Sequence, residues 1–544
     1  MVLKKDKLFN ATQFQLDLIS VRNKYKDDGF LLMAVNKTDL NFTTDSSLVD
    51  IKIFITEGKI VPVGKINFSG NEVLKDKELL KLMETRTGDI LSGAKLNNDI
   101  KEILSAYEKK GLPFVKVKIT DISLYRESDV TKLSLSLDIK EESRITIDKI
   151  KITGNDITND KVILREIKLN KERTITKDNL EDIKARLDKL NIFERVDDPK
   201  IVKIKNSNSA ELLVGVKEGN NNTFDGVLGY VPPANDQDKG YFTGLINLSF
   251  RNIFGTGRRI DARWSQQIRS TQELEFKYSE PYLLNLPLNL NFAFLQRIQD
   301  STYTRRKFDL KGDILLSDKF TVSLIGSYDR IIPSSDSTRT FTIGDSRILS
   351  SGIELRYDSR DNIYVPMSGI LYTLAYSYGD KKIYNADQLA SYGYQQDYSI
   401  QRYSVDIDFY SSFFKRQSAL IKLFAGEVKT DRLEDGDYFR IGGNKYIRGY
   451  REEQFLASTL VCSNIEFRYS LSRKGFFSVF YDFGYYLKPV DNINIIPKQE
   501  GFLYGYGIGM RVETGLGILG INYALGKGDG FLDGKINFGI INDF

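Results

Sequence analysis

Arg448 lies in a glycine-flanked segment, with Gly442-Gly443 before it and Gly449-Tyr450 after it. A guanidinium is permanently charged and presents its donors as a planar fork. Its chemistry is therefore two-point capture of an oxyanion, not bond making. Two carboxylates further along the chain are placed to receive it. Glu466 alternates with Ile465 and Phe467, and Asp482 alternates with Tyr481 and Phe483. Period-two alternation sends both acids to the polar face of their strands. A solvated loop arginine is the plainer alternative. The glycines argue against it, because they let a backbone turn sharply and come close to a wall.

Covalent chemistry is poorly provided for. Histidine is absent, which excludes a Ser-His-Asp triad, a Cys-His dyad and any His-ligated metal. The one cysteine, Cys462, has no partner for an intrachain disulfide and reads as a small hydrophobe in a strand. No phosphate-binding loop of the P-loop type occurs. We therefore expect no enzymatic activity, no cofactor and no metal. The formal net charge is +5 over 544 residues, with no basic stripe or polybasic tail, so nucleic acid is not an expected partner.

The elements that must position Arg448 and its acids are strands. From Asn220 to Phe544 helical periodicity stops. Phe242, Gly244, Ile246, Leu248 and Phe250 alternate with polar neighbours, as do Leu274, Phe276 and Tyr278, then Ile353, Leu355 and Tyr357. Aromatics make up 12% of the chain, as 30 Tyr and 33 Phe against a single Trp. The mean hydropathy of −0.31 is what alternating lipid-facing and lumen-facing residues produce by cancellation. No apolar run approaches the ~20 residues of a membrane helix. At roughly 20 residues per strand and connection, this half predicts an antiparallel transmembrane barrel of about 16 strands. The expected first strand, Thr223–Val231, is short, carries Gly226 and Gly229 and stops at Pro232-Pro233. The expected last strand carries Gly539 and ends on the aromatic Phe544. Glycine and proline weaken or limit pairing, so the seam between these two strands is expected to be labile.

The first half repeats. Lys65-Ile66-Asn67-Phe68-Ser69-Gly70-Asn71 recurs as Lys149-Ile150-Lys151-Ile152-Thr153-Gly154-Asn155. Tyr25-x-x-x-Gly29-Phe30 recurs as Tyr107-x-x-x-Gly111-Leu112, and Asn191 replaces glycine in the third copy. Each unit reads strand-helix-helix-strand-strand. We divide the chain into a partial unit at 1–58, complete units at 59–142 and 143–219, and the barrel at 220–544. The start, Met1-Val2-Leu3-Lys4-Lys5-Asp6, has no apolar signal-peptide core. We expect a chain that begins inside a longer protein, or a mature form with an added Met.

Four motifs together resemble one family. They are Asn252-Ile253-Phe254-Gly255-Thr256-Gly257, Tyr278-Ser279-Glu280-Pro281-Tyr282, Tyr357-Asp358-Ser359-Arg360-Asp361-Asn362 with Pro366-x-x-Gly369, and Gly442-Gly443-x-x-x-x-Arg448-Gly449-Tyr450. The chain is similar in these to the BamA-like outer-membrane protein assembly factors, and the repeats resemble POTRA domains. The resemblance covers nearly the whole chain. It implies a location in the outer membrane with the POTRA units in the periplasm. It implies a function in folding and inserting β-barrel proteins, with the first/last strand seam templating insertion. Unfolded barrel clients, accessory lipoproteins and the lipid bilayer are the implied partners. The resemblance also implies that Arg448, Gly449 and Tyr450 form an inward-folded loop held by Glu466 and Asp482. The alternatives are a two-partner-type secretion transporter, whose usual two POTRA domains and plug helix do not match here, and a translocation-and-assembly factor.

Overall fold

The structure is a computed structural model. It describes residues 9–541 except 45–47, 129, 143–145, 170–175, 206, 208, 220–221, 232–240, 269, 300–301, 335–342, 473, 493–494 and 515–516. Phe544 and Pro232-Pro233 therefore lie outside the described residues. The chain forms two compact units. One comprises 1–153, 167–184 and 197–215, and the other 154–166, 185–196 and 216–544.

The first unit opens with α1 (Ala11–Asp27), β1 (Ala34–Phe42) and β2 (Val49–Thr56). A full strand-helix-helix-strand-strand unit follows: β3 (Val63–Ser69), α2 (Asp76–Leu82), α3 (Gly93–Lys109), β4 (Lys116–Glu127) and β5 (Val130–Lys140). The central strand β5 pairs parallel with β3 and antiparallel with β4. Its alternation buries Leu133, Leu135, Leu137 and Ile139 under Leu79, Ile103 and Tyr107. Burying these side chains is the dominant favourable term for so small a domain. Leu135→Ala should cost the domain about 2–5 kcal/mol. Urea-dependent amide exchange over residues 61–142 of the whole chain should show this, with the barrel amides unchanged.

The next repeat is β6 (Thr146–Thr153), α4 (Asp160–Leu164), α5 (Lys177–Lys189), β7 (Phe193–Val196), β8 (Lys200–Lys203) and β9 (Ser209–Glu218). The single strand expected between α5 and β9 is broken in two at Asp197-Asp198-Pro199, where proline has no N–H for the ladder. The repeated Gly-Asn has a repeated physical cause. Gly70 and Gly154 have φ of 74° and 83°. A Cβ on either would overlap a carbonyl oxygen, of Ile139 and of Val216 respectively. Asn71 donates to Leu74 O at 2.9 Å and Asp76 Oδ1 at 2.8 Å, and Asn155 to Thr158 O and Asp160 Oδ1 at 2.9 and 2.7 Å. The turn amides then donate to a carboxylate at the end of the last strand. Val73 N donates to Glu141 at 2.9 Å, and Ile157 N and Thr158 N donate to Glu218 at 2.8 and 2.6 Å. The Glu218 carboxyl is held below its ordinary value because these donors outweigh its partial desolvation.

The sheet of the second unit opens with β10 (Thr223–Val231), β11 (Tyr241–Ile253), β12 (Arg258–Ile268) and β13 (Thr271–Glu280). Then come β14 (Leu288–Gln299), β15 (Tyr303–Leu315), β16 (Phe320–Pro333) and β17 (Ser346–Asp358). β18 (Gly369–Ile383), β19 (Asp397–Phe414) and β20 (Gln417–Lys429) lead into a long loop, 430–458. That loop holds a short antiparallel pair, β21 (Phe439–Ile441) and β22 (Phe455–Ala457). β23 (Thr459–Ser470), β24 (Phe476–Lys488), β25 (Gln499–Thr514), β26 (Gly517–Gly526) and β27 (Lys535–Ile541) complete the sheet.

These make one 16-stranded sheet in chain order, β21 and β22 excepted, with antiparallel neighbours. Its outer face is apolar and uncovered: Val461, Ile465 and Phe467 of β23 are 43–50% exposed, while Cys462, Asn464, Glu466 and Arg468 between them are buried. Residues of β17, β18, β19, β25 and β27 line one internal cavity of about 510 Å³, so the sheet curls into a barrel. No helix among the described residues is long and apolar enough to cross a membrane. Each strand from β11 to β26 that belongs to the sheet is paired on both sides, so its backbone groups are satisfied between neighbours. The two ends of the sheet differ from the rest. No ladder joins β10 to β27 among the described residues.

Candidate functional site

The loop 430–458 folds into the barrel from the end opposite the one where β10 begins and β27 ends. Its backbone is bent by glycines: Gly442, Gly443 and Gly449 have φ of 120°, 71° and 91°. A Cβ at Gly443 would strike the Glu452 carboxylate, which instead accepts a hydrogen bond from Asn444 N at 3.0 Å. Phe424, Ile441, Tyr446, Ile447, Tyr450, Leu460, Cys462 and Leu503 form an apolar cluster that seats the loop against the wall. Cys462 is thus a buried packing residue.

Arg448 projects from this seat. Its Nε and Nη2 donate to the two oxygens of Asp482 at 2.7 and 2.6 Å, and its backbone N donates to Asp482 Oδ2 at 2.9 Å. Nη1 donates to Glu466 Oε1 at 2.7 Å, and Glu466 Oε2 accepts from Arg468 Nε at 2.7 Å. The guanidinium lies 3.5 Å from the centroid of the Phe480 ring. Asp482 is 0% exposed, and Arg448 and Glu466 are 7% each. This is a fork-on-carboxylate pair in a desolvated corner, the geometry that makes a charged hydrogen bond strong. Breaking one side of it leaves an uncompensated buried charge. Tyr450 OH donates to Tyr504 O at 3.2 Å and accepts from Lys527 N at 3.3 Å, tying the loop to β25 and the end of β26.

Two further contributors, Gly505 and Gly526, carried weaker sequence signals. Gly449 packs backbone-to-backbone on β26, where a Cβ would lie 2.6 Å from Gly526 N. A Cβ on Gly505 would overlap Arg448 O, and one on Gly526 would lie 2.6 Å from Gly449 O. β25 carries Gly501, Gly505, Gly507 and Gly509, and glycine within a strand signals close backbone approach. That spacing was the available sign. Gly505→Val should force the loop off β25 at a cost of about 1–3 kcal/mol. A lower midpoint for unfolding of the barrel in detergent is the measurement, and an unchanged midpoint would remove this contact from the account.

Among the described residues no ladder brings the seam residues together. Thr223, Gly226 and Gly229 pair with Ser249, Ile246 and Thr243 of β11, and Gly539 pairs with Gly520 of β26. They lie on opposite ends of the sheet. The other motifs form turns at the terminal end. Asn252, at φ 56°, accepts from Gly257 N at 2.9 Å and donates to Thr158 Oγ1 at 2.7 Å. Tyr278 OH and Arg258 Nε both donate to Glu280, at 2.5 and 2.7 Å. Asp358 accepts from Arg360 Nε at 2.9 Å, while Asn362 accepts from Tyr364 N and Val365 N, folding that turn inward onto Phe476 and Ile518.

Residues 252–544 match the Omp85 superfamily domain, and residues 61–142 and 145–219 match the POTRA family, described as a surface antigen variable number repeat. The outer membrane protein assembly factor BamA of Neisseria meningitidis serogroup B is 25% identical over 285 residues, covering 52% of this chain and 34% of the relative. The BamA of Buchnera aphidicola is 26% identical over 296 residues, covering 53% and 45%. The chain thus spans less than half the length of these two curated relatives. In fold it resembles the crystal structure of BamA from Haemophilus ducreyi lacking POTRA domains 1–3, with a TM-score of 0.51, 14% identity, and coverage of 88% of this chain and 98% of that one. A transmembrane barrel of sixteen strands behind POTRA repeats, with an inward loop gripped through Arg448, belongs to the Omp85 superfamily, and this chain is a member of it.

Proposed function

We propose that the chain works in the outer membrane as an assembly factor that folds and inserts β-barrel proteins, its POTRA units in the periplasm. The observation that carries this reading is the state of the sheet ends. Among the described residues β10 pairs only with β11 and β27 only with β26. An unpaired strand edge is a row of backbone donors and acceptors that templates another strand. At β10 and β27 that edge is presented in lipid, where an incoming strand has no water to satisfy its own backbone. Assembly then needs no covalent step and no nucleotide.

The POTRA sheets offer edges of the same kind. Among the described residues β4 is one edge of its sheet, with Ile119, Ile122 and Leu124 43–50% exposed. Such an edge suits strand addition by client segments or accessory lipoproteins. The test is reconstitution. The purified chain in liposomes should accelerate folding of a urea-unfolded barrel client at least tenfold over protein-free liposomes. An unrelated barrel without POTRA domains, at the same density, should not. Equal rates in all three preparations would overturn the proposal.

A further inference from the structure

The loop that carries Arg448 has a second charged attachment, at its other end. Glu434, Asp435, Gly436 and Asp437 form a tight turn just after β20, within which Glu434 N donates to Asp437 Oδ2 at 2.9 Å. This turn is buried, with Glu434 5% and Asp437 0% exposed. Lys381 of β18, itself 0% exposed, stands between the two acids, its Nζ 2.7 Å from Glu434 Oε2 and 2.7 Å from Asp437 Oδ2. Backbone carbonyls of the turn are held by arginines of the wall. Arg402 of β19 donates to Asp437 O at 2.6 Å, and Arg305 of β15 donates to Gly436 O at 3.0 Å. The other Glu434 oxygen accepts from Gly344 N at 2.6 Å and Tyr394 OH at 3.0 Å. Further along the loop, Glu453 is 2.7 Å from Arg297 of β14.

The two attachments have opposite polarity. Around β14–β19 the loop supplies the acids and the wall supplies the cations. Around β23–β24 the loop supplies the cation, Arg448, and the wall supplies the acids, Glu466 and Asp482. A loop charged in this way has one seating only, because turning it round sets like charges together. A buried lysine with two carboxylates is weak evidence for stability, since desolvation offsets the attraction; position is the better-attested use of such a group.

We infer that Glu434–Asp437 is a second latch of the Arg448 loop, with Lys381 its positioning residue. The loop is then a brace spanning the lumen, which holds the β14–β19 wall against the β23–β26 wall and leaves β10 and β27 outside its grip. The inference does not rest on the assembly reading. It concerns where the loop sits, and its test uses no client protein.

The test works in a Cys462→Ala background, with a single cysteine introduced by Ile441→Cys, a fully buried loop position between the latches. The purified full chain in detergent micelles is treated with a water-soluble maleimide, and the rate of modification is read. Lys381→Met should raise that rate at least tenfold. It should also raise the single-channel conductance in planar bilayers, with the barrel still folded by its strand circular dichroism. Lys381→Met strands two buried carboxylates, so it can disturb the fold without any latch being lost. The triple variant Lys381→Met/Glu434→Gln/Asp437→Asn removes those charges as well and keeps the question answerable. Modification in the triple variant at least tenfold faster than in the parent supports the latch. A triple variant that behaves like the parent overturns it, because Lys381 would then only neutralise its neighbours. Combining Lys381→Met with Arg448→Met should exceed either change alone, and an increase no larger than that of Arg448→Met alone would overturn the two-latch brace.

Discussion

Asp482→Asn should release the Arg448 loop from the wall while leaving the strand ladder intact. The substitution keeps the shape of the side chain and removes the charge that receives three donors from one residue. The buried guanidinium is left with Glu466 alone, and losing its two-point partner costs up to about 3–5 kcal/mol when the site is dry, and less where lumen water reaches it. Modification of a cysteine at position 441, buried while the loop is seated, should therefore quicken by two orders of magnitude or more. Glu466→Gln should release the loop less, since Asp482 still holds the fork. Arg448→Lys tests the geometry separately from the charge. A lysine ammonium has no planar fork and cannot match both oxygens of Asp482 while reaching Glu466. It should give an intermediate rate. A lysine variant indistinguishable from the parent would mean that only the charge matters, and the fork argument would be lost.

The second large effect is expected at the sheet ends. One cysteine in Thr223–Val231 and one in Lys535–Ile541, in the Cys462→Ala background, should form a disulfide wherever the Cα atoms come within about 4.4–6.8 Å. Several registers should be tried, because no ladder among the described residues fixes one. If β10 and β27 template client strands, the oxidised protein should insert an unfolded client no faster than protein-free liposomes do, and reduction should restore the rate. A transporter that passes its partner through the lumen gives the reverse pattern: the locked seam has little effect, and fixing the Arg448 loop in place blocks transport. Client insertion at full rate through a locked seam would end the proposed mechanism and leave the family membership standing.

The features legible in the sequence were those with local causes. Gly-Asn marks each POTRA turn because the backbone there is left-handed and pressed against a carbonyl. Alternation sorts β23 into an outer face of Val461, Ile465 and Phe467 and an inner face of Cys462, Asn464, Glu466 and Arg468. The same rule puts Glu466 and Asp482 where Arg448 reaches them. Lys381 gave no such sign. Its neighbours Gly379, Asp380 and Lys382 suggest an ordinary solvated strand end, and its burial comes from a turn more than fifty residues downstream folding back over it. The break between β7 and β8 was visible as Pro199, but its effect on pairing depends on β9, which arrives later. Phe544, prominent in the sequence, lies outside the described residues.

The two latches also impose an order in time. Arg297, Arg305, Lys381 and Arg402 all precede the loop in the chain, whereas Glu466, Asp482, Gly505 and Gly526 all follow it. When the sheet has grown as far as β20, the cationic half of the loop's receptor already exists, although it lies 35 to 156 residues from its partners in the loop, against 18 and 34 residues for Arg448 and its acids. Arg448 is then presented before its acids have been added. The last five strands, β23 to β27, are laid down against a surface already in place. The loop acts as a mould for the closing third of its own barrel, and a sheet that reached β27 without it would have no internal reference for its diameter.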